Sequence, residues 1–283
     1  MVLILAAASA ISLGVADYVA GETLRRDGRN ESALTYTAMG SLFGVVVVGA
    51  VYLIAPPQSF TTRDALWGMA AGAVFGLALP LLMVGMARGP MAIVAPTLGL
   101  VSLGVPAIVG PFLGDELTVL ELAGLLVALP ATALVAMHSG ELIDSFSARK
   151  ALLVGATVGA LFGTSAVFFG RTSTESGIGP AVAGQITATV LLLVIGLGAH
   201  RLVRPKTEAT GPALVVGLLA ALAVLTNVLA YQRGPVVVAA AVIGLAPGPT
   251  VLLAWWLAHE RINRLQMLGF GLGIVAVVLF AFG

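Results

Sequence analysis

Apolar residues follow one another along this chain in long runs, separated by short polar segments. Cutting the sequence at its charged residues leaves ten charge-free intervals, nearly all of the ~20 residues that cross a bilayer as a helix. The runs are apolar on every face and lack the alternation of barrel strands, so they predict transmembrane helices. The predicted helical cores are residues 2–20, 34–54, 65–86, 91–111, 118–137, 151–169, 180–200, 212–231, 235–257 and 265–282.

The first run is predicted to be a retained span. A signal peptide carries its positive charge before the apolar segment. Here the first cation, Arg25, comes after that segment. The ten runs together predict an all-α integral membrane protein.

The composition of the chain also indicates a membrane protein. Hydrophobic residues make up 59% of the chain and charged residues 10%, whereas soluble proteins carry about 25% charged residues. The net charge of +1 argues against a nucleic-acid partner, because a phosphate-binding face needs an excess of clustered cations. The sequence contains no Cys, which excludes disulfides, thiolate metal sites and Cys nucleophiles. We therefore expect a multi-pass protein of the cell (inner or plasma) membrane.

Lysine and arginine are distributed unevenly between the two sets of loops. Loops after odd-numbered spans hold eleven of these cations, and loops after even-numbered spans hold three. The positive-inside rule then places the odd loops in the cytoplasm and both termini outside.

The two halves of the chain share a register of residues, which indicates an internal repeat. The triplet Arg88-Gly89-Pro90 recurs as Arg233-Gly234-Pro235, and Leu13-Gly14 matches Phe162-Gly163. At the offset of the triplets, Ala95, Gly99 and Leu100 match Ala240, Gly244 and Leu245.

The repeat predicts how the halves are arranged. Residues 1–140 and 141–283 each hold five predicted spans. Because five is odd, the second half enters the membrane with the opposite polarity. The predicted fold is therefore ten transmembrane helices, arranged as two inverted five-helix repeats around a central cavity, an architecture common among secondary transporters.

Several of these features together resemble a known family. They are the Gly-Pro turns that open spans four and nine, the acidic residues Glu116 and Glu260 after those spans, and a Gly-rich last span. In this combination the chain is similar to the drug/metabolite transporter superfamily of EamA type.

The resemblance implies a basket of ten helices around a central cavity, lined by spans 1, 3, 4, 6, 8 and 9. It implies transport of small metabolites, often export of amino acids or related compounds. Members of the family are usually drawn with both termini in the cytoplasm, whereas the distribution of Lys and Arg places both termini outside. The resemblance does not decide between these two orientations.

Asp17 is a carboxylate inside the first predicted span. An ionisable group at that depth is costly and marks a functional site by default. Two interpretations stay open. Asp17 carries a coupling proton or binds a substrate amine, or it lies near the interface and pairs with Arg25 or reaches water.

Proline interrupts spans four and nine. A mid-helix proline removes a backbone hydrogen bond, and the freed carbonyl needs a cavity or a neighbouring helix. The segment 246–250 holds Pro247 and Pro249 around one glycine, and Ser102 is equivalent to Pro247 in the repeat. Both spans are therefore predicted to be broken or bent. The break either exposes backbone groups that line the substrate pathway, or it is a purely structural kink. The candidate lining residues here are Thr97, Ser102, Pro247 and Thr250.

The remaining candidates are polar or polarizable residues within spans. Asn227 and Tyr231 lie four residues apart on one face of span eight, and a buried amide needs a partner. Trp255 is either a cavity residue or an interfacial anchor. Met83 is either an adaptable cavity wall or core filler.

Glycine recurs every fourth residue in spans three and six. Small residues on one helix face allow close approach of backbones. The ladders therefore predict either static packing or a surface on which bundles rock. They are Gly68, Gly72 and Gly76, and Gly155, Gly159 and Gly163.

The sequence lacks the motifs of an enzyme. Its three histidines lie near span ends and far apart, and no metal-ligand spacing, nucleophile elbow or phosphate loop occurs. We predict no cofactor and no metal.

The favoured function is a secondary transporter driven by an ion gradient or by exchange. Its predicted partners are a small-molecule substrate and a coupling proton, and a homodimer stays open. A channel or a scaffold without coupled transport is the alternative.

Overall fold

The computed structural model describes residues 1–28, 32–88, 91–136, 145–200, 202–259 and 262–283. Within these ranges the secondary structure is helical and contains no strand. The helices in chain order are α1 (Val2–Asp27), α2 (Ala33–Ile54), α3 (Thr62–Arg88), α4 (Met91–Val109), α5 (Val119–Ala136), α6 (Ser145–Gly170), α7 (Gly179–Gly198), α8 (Thr207–Tyr231), α9 (Val236–Ile243), α10 (Pro247–Leu257) and α11 (Arg264–Phe282).

The described helices match the predicted spans. Nine helical stretches of the described chain are apolar and long enough to cross a membrane, and α5 is a shorter apolar helix. Many large apolar side chains lie on the outside, among them Ile4, Val46 and Phe112. An apolar exterior of this kind is stable in lipid, so the prediction of an all-α membrane protein is confirmed.

The ninth span consists of two helices. α9 ends at Ile243, and the backbone N–H groups of Leu245 and Ala246 donate to carbonyls only three residues back. α10 then begins with Pro247, which has no N–H to donate and fits the first helical turn. The predicted break is therefore found in span nine.

The equivalent fourth span is not broken. α4 continues from Met91 to Val109 with Pro96 and Pro106 inside it. Of the two predicted alternatives, a break is not found in span four, and a bend there stays a prediction. A proline blocks only its own hydrogen bond, and the helix continues on either side of it.

Glycines set the closest helix contacts. On α3, a Cβ added at Gly68 would lie 2.5 Å from the Pro180 carbonyl oxygen of α7. On α6, a Cβ at Gly159 would lie 2.6 Å from the Leu98 carbonyl oxygen of α4. No side chain fits in these gaps, so both glycine ladders pack against neighbouring backbone, as one interpretation of the sequence predicted.

Polar contacts tie the two halves together at both ends of the bundle. We call the end that holds residues 57–64, 110–118, 170–178 and 232–236 the lower end. There the Asp64 carboxylate accepts from the backbone N–H of Ser173 at 2.8 Å, and the Asp115 carboxylate accepts from the Val236 N–H at 2.9 Å. The end that holds residues 27, 32–36 and 202–209 is the upper end, where Lys206 Nζ lies 2.9 Å from Asp27 Oδ1.

Candidate functional site

α1 runs from the lower to the upper end and presents two different sides. One side carries Ile4 and Ile11, which are 74% and 55% exposed and face the surroundings of the protein. The opposite side carries Ala6 and Ala10, which are 0% and 6% exposed. The alanine side of α1 therefore faces the interior of the bundle.

Two contacts on α1 mark the borders of this interior side. Ser9 bonds to α8, and Gly14 packs against α10 at Ala246. With about 100° per residue, Asp17 lies about 80° from Ser9 and 60° from Gly14, in the direction of Ala6 and Ala10. Its carboxylate therefore points into the bundle, between α8 and α10.

Although it points inward, Asp17 is exposed. One turn further along α1, a Cβ at Gly21 would have no atom within 4 Å. This side of the upper half of α1 is thus accessible at Asp17 and Gly21, and we call the space beside these two residues the inner hollow. It is bordered in the described structure by Asp17 and Gly21.

The alternative pairing of Asp17 with Arg25 is not observed. The Arg25 guanidinium binds the Glu22 carboxylate at 2.7 Å, and Arg26 binds the same carboxylate at 2.6 Å. Within the described part of the chain, no hydrogen bond or ion pair joins Asp17 to another residue.

Asn227 receives a partner that the sequence analysis missed. The Ser9 hydroxyl donates to Asn227 Oδ1 at 2.5 Å and lies 3.3 Å from the Ala223 carbonyl oxygen. Ser9 stands in a run of alanines, and nothing in its spacing distinguishes it from a packing residue. Tyr231, one turn beyond Asn227 on α8, is buried.

Thr250 fastens α10 to α1. Its hydroxyl donates to the Gly14 carbonyl oxygen at 2.9 Å and lies 3.3 Å from the Ala246 carbonyl oxygen. Pro247 is half-buried in the first turn of α10. Both residues lie where α10 crosses α1, just below Asp17.

Thr97 and Ser102 lie elsewhere, at the contact between α4 and α6. A Cβ at Gly155 of α6 would lie 2.9 Å from Thr97 Cβ. The Ser102 hydroxyl donates to the Gly99 carbonyl oxygen of its own helix at 3.0 Å. These two residues therefore belong to a helix contact in this structure.

The last two candidates are Trp255 and Met83. Trp255 is 53% exposed in the last turn of α10, next to the exposed Trp256, a position typical of interfacial anchors. Met83 belongs to α3, but its side chain lies outside the described residues, as do the turn residues Gly89 and Pro90 and the acidic Glu260.

The structure thus brings together part of the predicted site. Asp17, the Ser9–Asn227 pair and the Gly14–Thr250 contact follow one another along the interior side of α1. Among the residues that the structure describes, no group of three or more His, Asp or Glu side chains could hold a metal ion. The chemistry available here is one accessible carboxylate beside amide and hydroxyl groups.

Comparisons with known proteins agree with this architecture. The model of the EamA-like transporter family matches residues 149–282. A solved structure, described only as a crystal structure of a protein, superposes with a TM-score of 0.79 at 19% identity and covers 99% of this chain and 96% of that chain. At this identity the likeness concerns the fold. No curated protein matches the chain.

Proposed function

We propose that this chain, whose residues 149–282 match the model of the EamA-like transporter family, is a secondary transporter of small metabolites in the cell membrane. In this proposal residues 1–140 and 141–283 are two inverted repeats, and the solute binds between them. Amino acids and related compounds are the proposed substrates, moved by export or exchange.

The pairing of helices supports two equivalent halves. Exchanging the halves maps α1, α2 and α3 onto α6, α7 and α8, and maps α4 onto α9 and α10 together. The observed contact of α3 with α7 then corresponds to that of α8 with α2, and both exist. The contact of α1 with α8 corresponds to that of α6 with α3, and both of these exist as well.

Individual glycines follow the same exchange. Gly72 of α3 meets Gly184 of α7, and the equivalent Gly217 of α8 meets Gly40 of α2. In each case a Cβ would collide with the facing backbone. A shared geometry of this kind supports a pseudo-twofold arrangement, in which either half can take the shape of the other.

The contacts of α1 and α6 repeat as well. A Cβ at Gly14 would lie 2.5 Å from the Ala246 carbonyl oxygen of α10, and one at Gly163 would lie 2.6 Å from the Ser102 carbonyl oxygen of α4. The first helix of each repeat thus packs closely against the fourth span of the other repeat: α1 against α10, and α6 against α4. Alternating access would rock these two contacts in opposite directions.

The accessible Asp17 carboxylate is the observation that carries the proposed function. It faces the interior between α8 and α10, and it has no partner among the described residues. A carboxylate in that position binds a substrate ammonium group or exchanges a proton with the hollow. Asn227 and Thr250 hold the flanking helices against α1 and so fix the position of the carboxylate.

The test is transport by the purified protein in proteoliposomes with radiolabelled amino acids. We expect saturable uptake with counterflow, which distinguishes a carrier from a channel. In the Asp17→Asn variant gradient-driven uptake should be abolished while exchange is partly retained, if Asp17 carries the coupling proton. The control is Glu116→Gln, which neutralises an exposed carboxylate between α4 and α5.

Each outcome has a defined meaning. Flux without saturation and without counterflow would favour the channel. Unchanged uptake and unchanged pH dependence in the Asp17→Asn variant would remove Asp17 from the mechanism. If no amino acid is transported, thermal stabilisation of the protein by other metabolites identifies the ligand, because a ligand that binds only the folded state raises the melting temperature.

A further inference from the structure

A second recess lies on the outer side of α1, at the upper end of the bundle. It is a groove of about 310 Å³ between α1 and the start of α8. Its apolar floor includes Val19 of α1 and Pro212 of α8, and its charged rim includes Glu22, Arg26 and Glu208. We call it the outer groove.

The outer groove faces lipid and not the inner hollow. At about 100° per residue, Glu22 of α1 projects in the same direction as Ile4 and within about 20° of Ile11, the two exposed isoleucines of the outward side. Asp17 lies about 140° away from Glu22 around the same helix. The two recesses are therefore separated by α1 itself.

Polarity changes along the length of the outer groove. Tyr18 and Val19 lie about one turn deeper in the bundle than Glu22 and about two turns deeper than Arg26. A molecule that fills the groove therefore has a charged end at the rim and an apolar end toward the centre of the membrane. A phospholipid that lies against the protein has this order of groups.

The rim carries both signs of charge. Lys206 is 49% exposed and pairs with the buried Asp27, and Arg26 pairs with Glu22. Glu208 is exposed, and no hydrogen bond or ion pair joins it to another residue in the described structure. Glu22 binds Arg25 as well as Arg26, and Asp27 binds Lys206, so Glu208 is the lining carboxylate that has no partner in the described structure.

We propose that the outer groove binds a phospholipid whose zwitterionic headgroup ends in a primary amine. The lipid phosphate lies beside Lys206 and Arg26, and the ammonium group donates to the Glu208 carboxylate. A primary ammonium donates hydrogen bonds and a trimethylammonium does not, so choline lipids bind more weakly. An anionic lipid without an amine leaves Glu208 unpaired and is repelled by it.

The experiment measures bound lipid by native mass spectrometry of the full-length protein in detergent. Phosphatidylethanolamine, phosphatidylcholine and phosphatidylglycerol with the same acyl chains are titrated separately. We expect phosphatidylethanolamine to bind about tenfold more tightly than phosphatidylcholine, in line with one hydrogen bond between charged groups. In the Glu208→Gln variant this preference should disappear.

The control variant is Glu116→Gln, which removes an exposed carboxylate at the lower end and should keep the preference. The melting temperature of each variant is recorded as well, since Glu208 is exposed and its replacement should leave folding intact. Equal binding of the three lipids, stronger binding of phosphatidylglycerol, or an unchanged preference in Glu208→Gln would each overturn the proposal. None of these measurements depends on transport, so they leave the proposed function untouched.

Discussion

The two halves of α1 present the same side to the bundle and differ in what covers it. In the lower half, Ala6, Ala10 and Gly14 are buried. In the upper half, Asp17 and Gly21 are exposed. Small residues line this side in both halves, so the difference arises in the surroundings of α1 and not in its own side chains.

The ninth span explains the difference. All residues from Val236 to Val242 of α9 are buried, whereas Gly248 is the only buried residue of α10. α9 therefore fills the interior at the lower end, whereas α10 is far less buried above the crossing with α1. The two parts of a single predicted span thus differ in burial, because the span breaks in the middle.

The largest expected effect is at Gly14, where the closed half of α1 meets α10. A Cβ at Gly14 would lie 2.5 Å from the Ala246 carbonyl oxygen and 2.7 Å from Pro249 Cβ. The Gly14→Ala variant should lower the stability by about 1–3 kcal/mol, the usual cost of overpacking. Unfolding by detergent titration measures it.

Gly21→Ala is the matched control, because a Cβ at Gly21 meets no atom within 4 Å. It should leave the stability nearly unchanged. Equal stabilities for the two variants would show that α10 does not pack closely against α1 at Gly14. The equivalent Gly163→Ala variant on α6 should behave like Gly14→Ala if the halves are alike.

Cysteine labelling compares the two halves of α1 directly, since the chain has no Cys of its own. In proteoliposomes a water-soluble maleimide should react with the Gly21→Cys variant at least about tenfold faster than with the Ala10→Cys variant. This ratio corresponds to about 1.4 kcal/mol more free energy for the local opening that exposes residue 10 to water. Ile11→Cys, facing lipid, should also react slowly because the thiolate is the reactive form and needs water. Similar rates for Ala10→Cys and Gly21→Cys would contradict a closed lower half.

The smallest effect concerns the Ser9–Asn227 hydrogen bond of the closed half. A double-mutant cycle with Ser9→Ala and Asn227→Ala should give a coupling energy of about 0.6 kcal/mol, the mean for hydrogen bonds between membrane helices. The unfolding equilibria of the four proteins provide it. A coupling of zero would mean that the two helices are held together by packing alone.

Much of the architecture could be predicted from the sequence. The apolar runs indicated the helices, because a chain in lipid satisfies its backbone groups within each helix. The resemblance to EamA-type transporters is confirmed by the family match over residues 149–282. The break before Pro247 could be predicted from the two prolines around a glycine, whereas the prolines of α4 lie inside a continuous helix.

The candidate site was predicted only in part. Asp17 and Asn227 were recognised because a charge and an amide are rare inside apolar runs. Ser9 was missed because a hydroxyl among alanines carries no signal until the helix across from it is known. Thr97 and Ser102 were predicted as lining residues of span four, Ser102 because it is equivalent to Pro247 in the repeat, and the structure places both against α6.

The sequence by itself determined that the chain forms a series of apolar helices of membrane-spanning length, and roughly where along the chain they lie. These are local properties, set by hydropathy and by residue type at turns. Only the tertiary structure decided which side of α1 faces inward, which end α9 closes, and that Asp17 is accessible. In helices that are apolar all round, no periodicity marks the buried face, so long-range packing has to choose it.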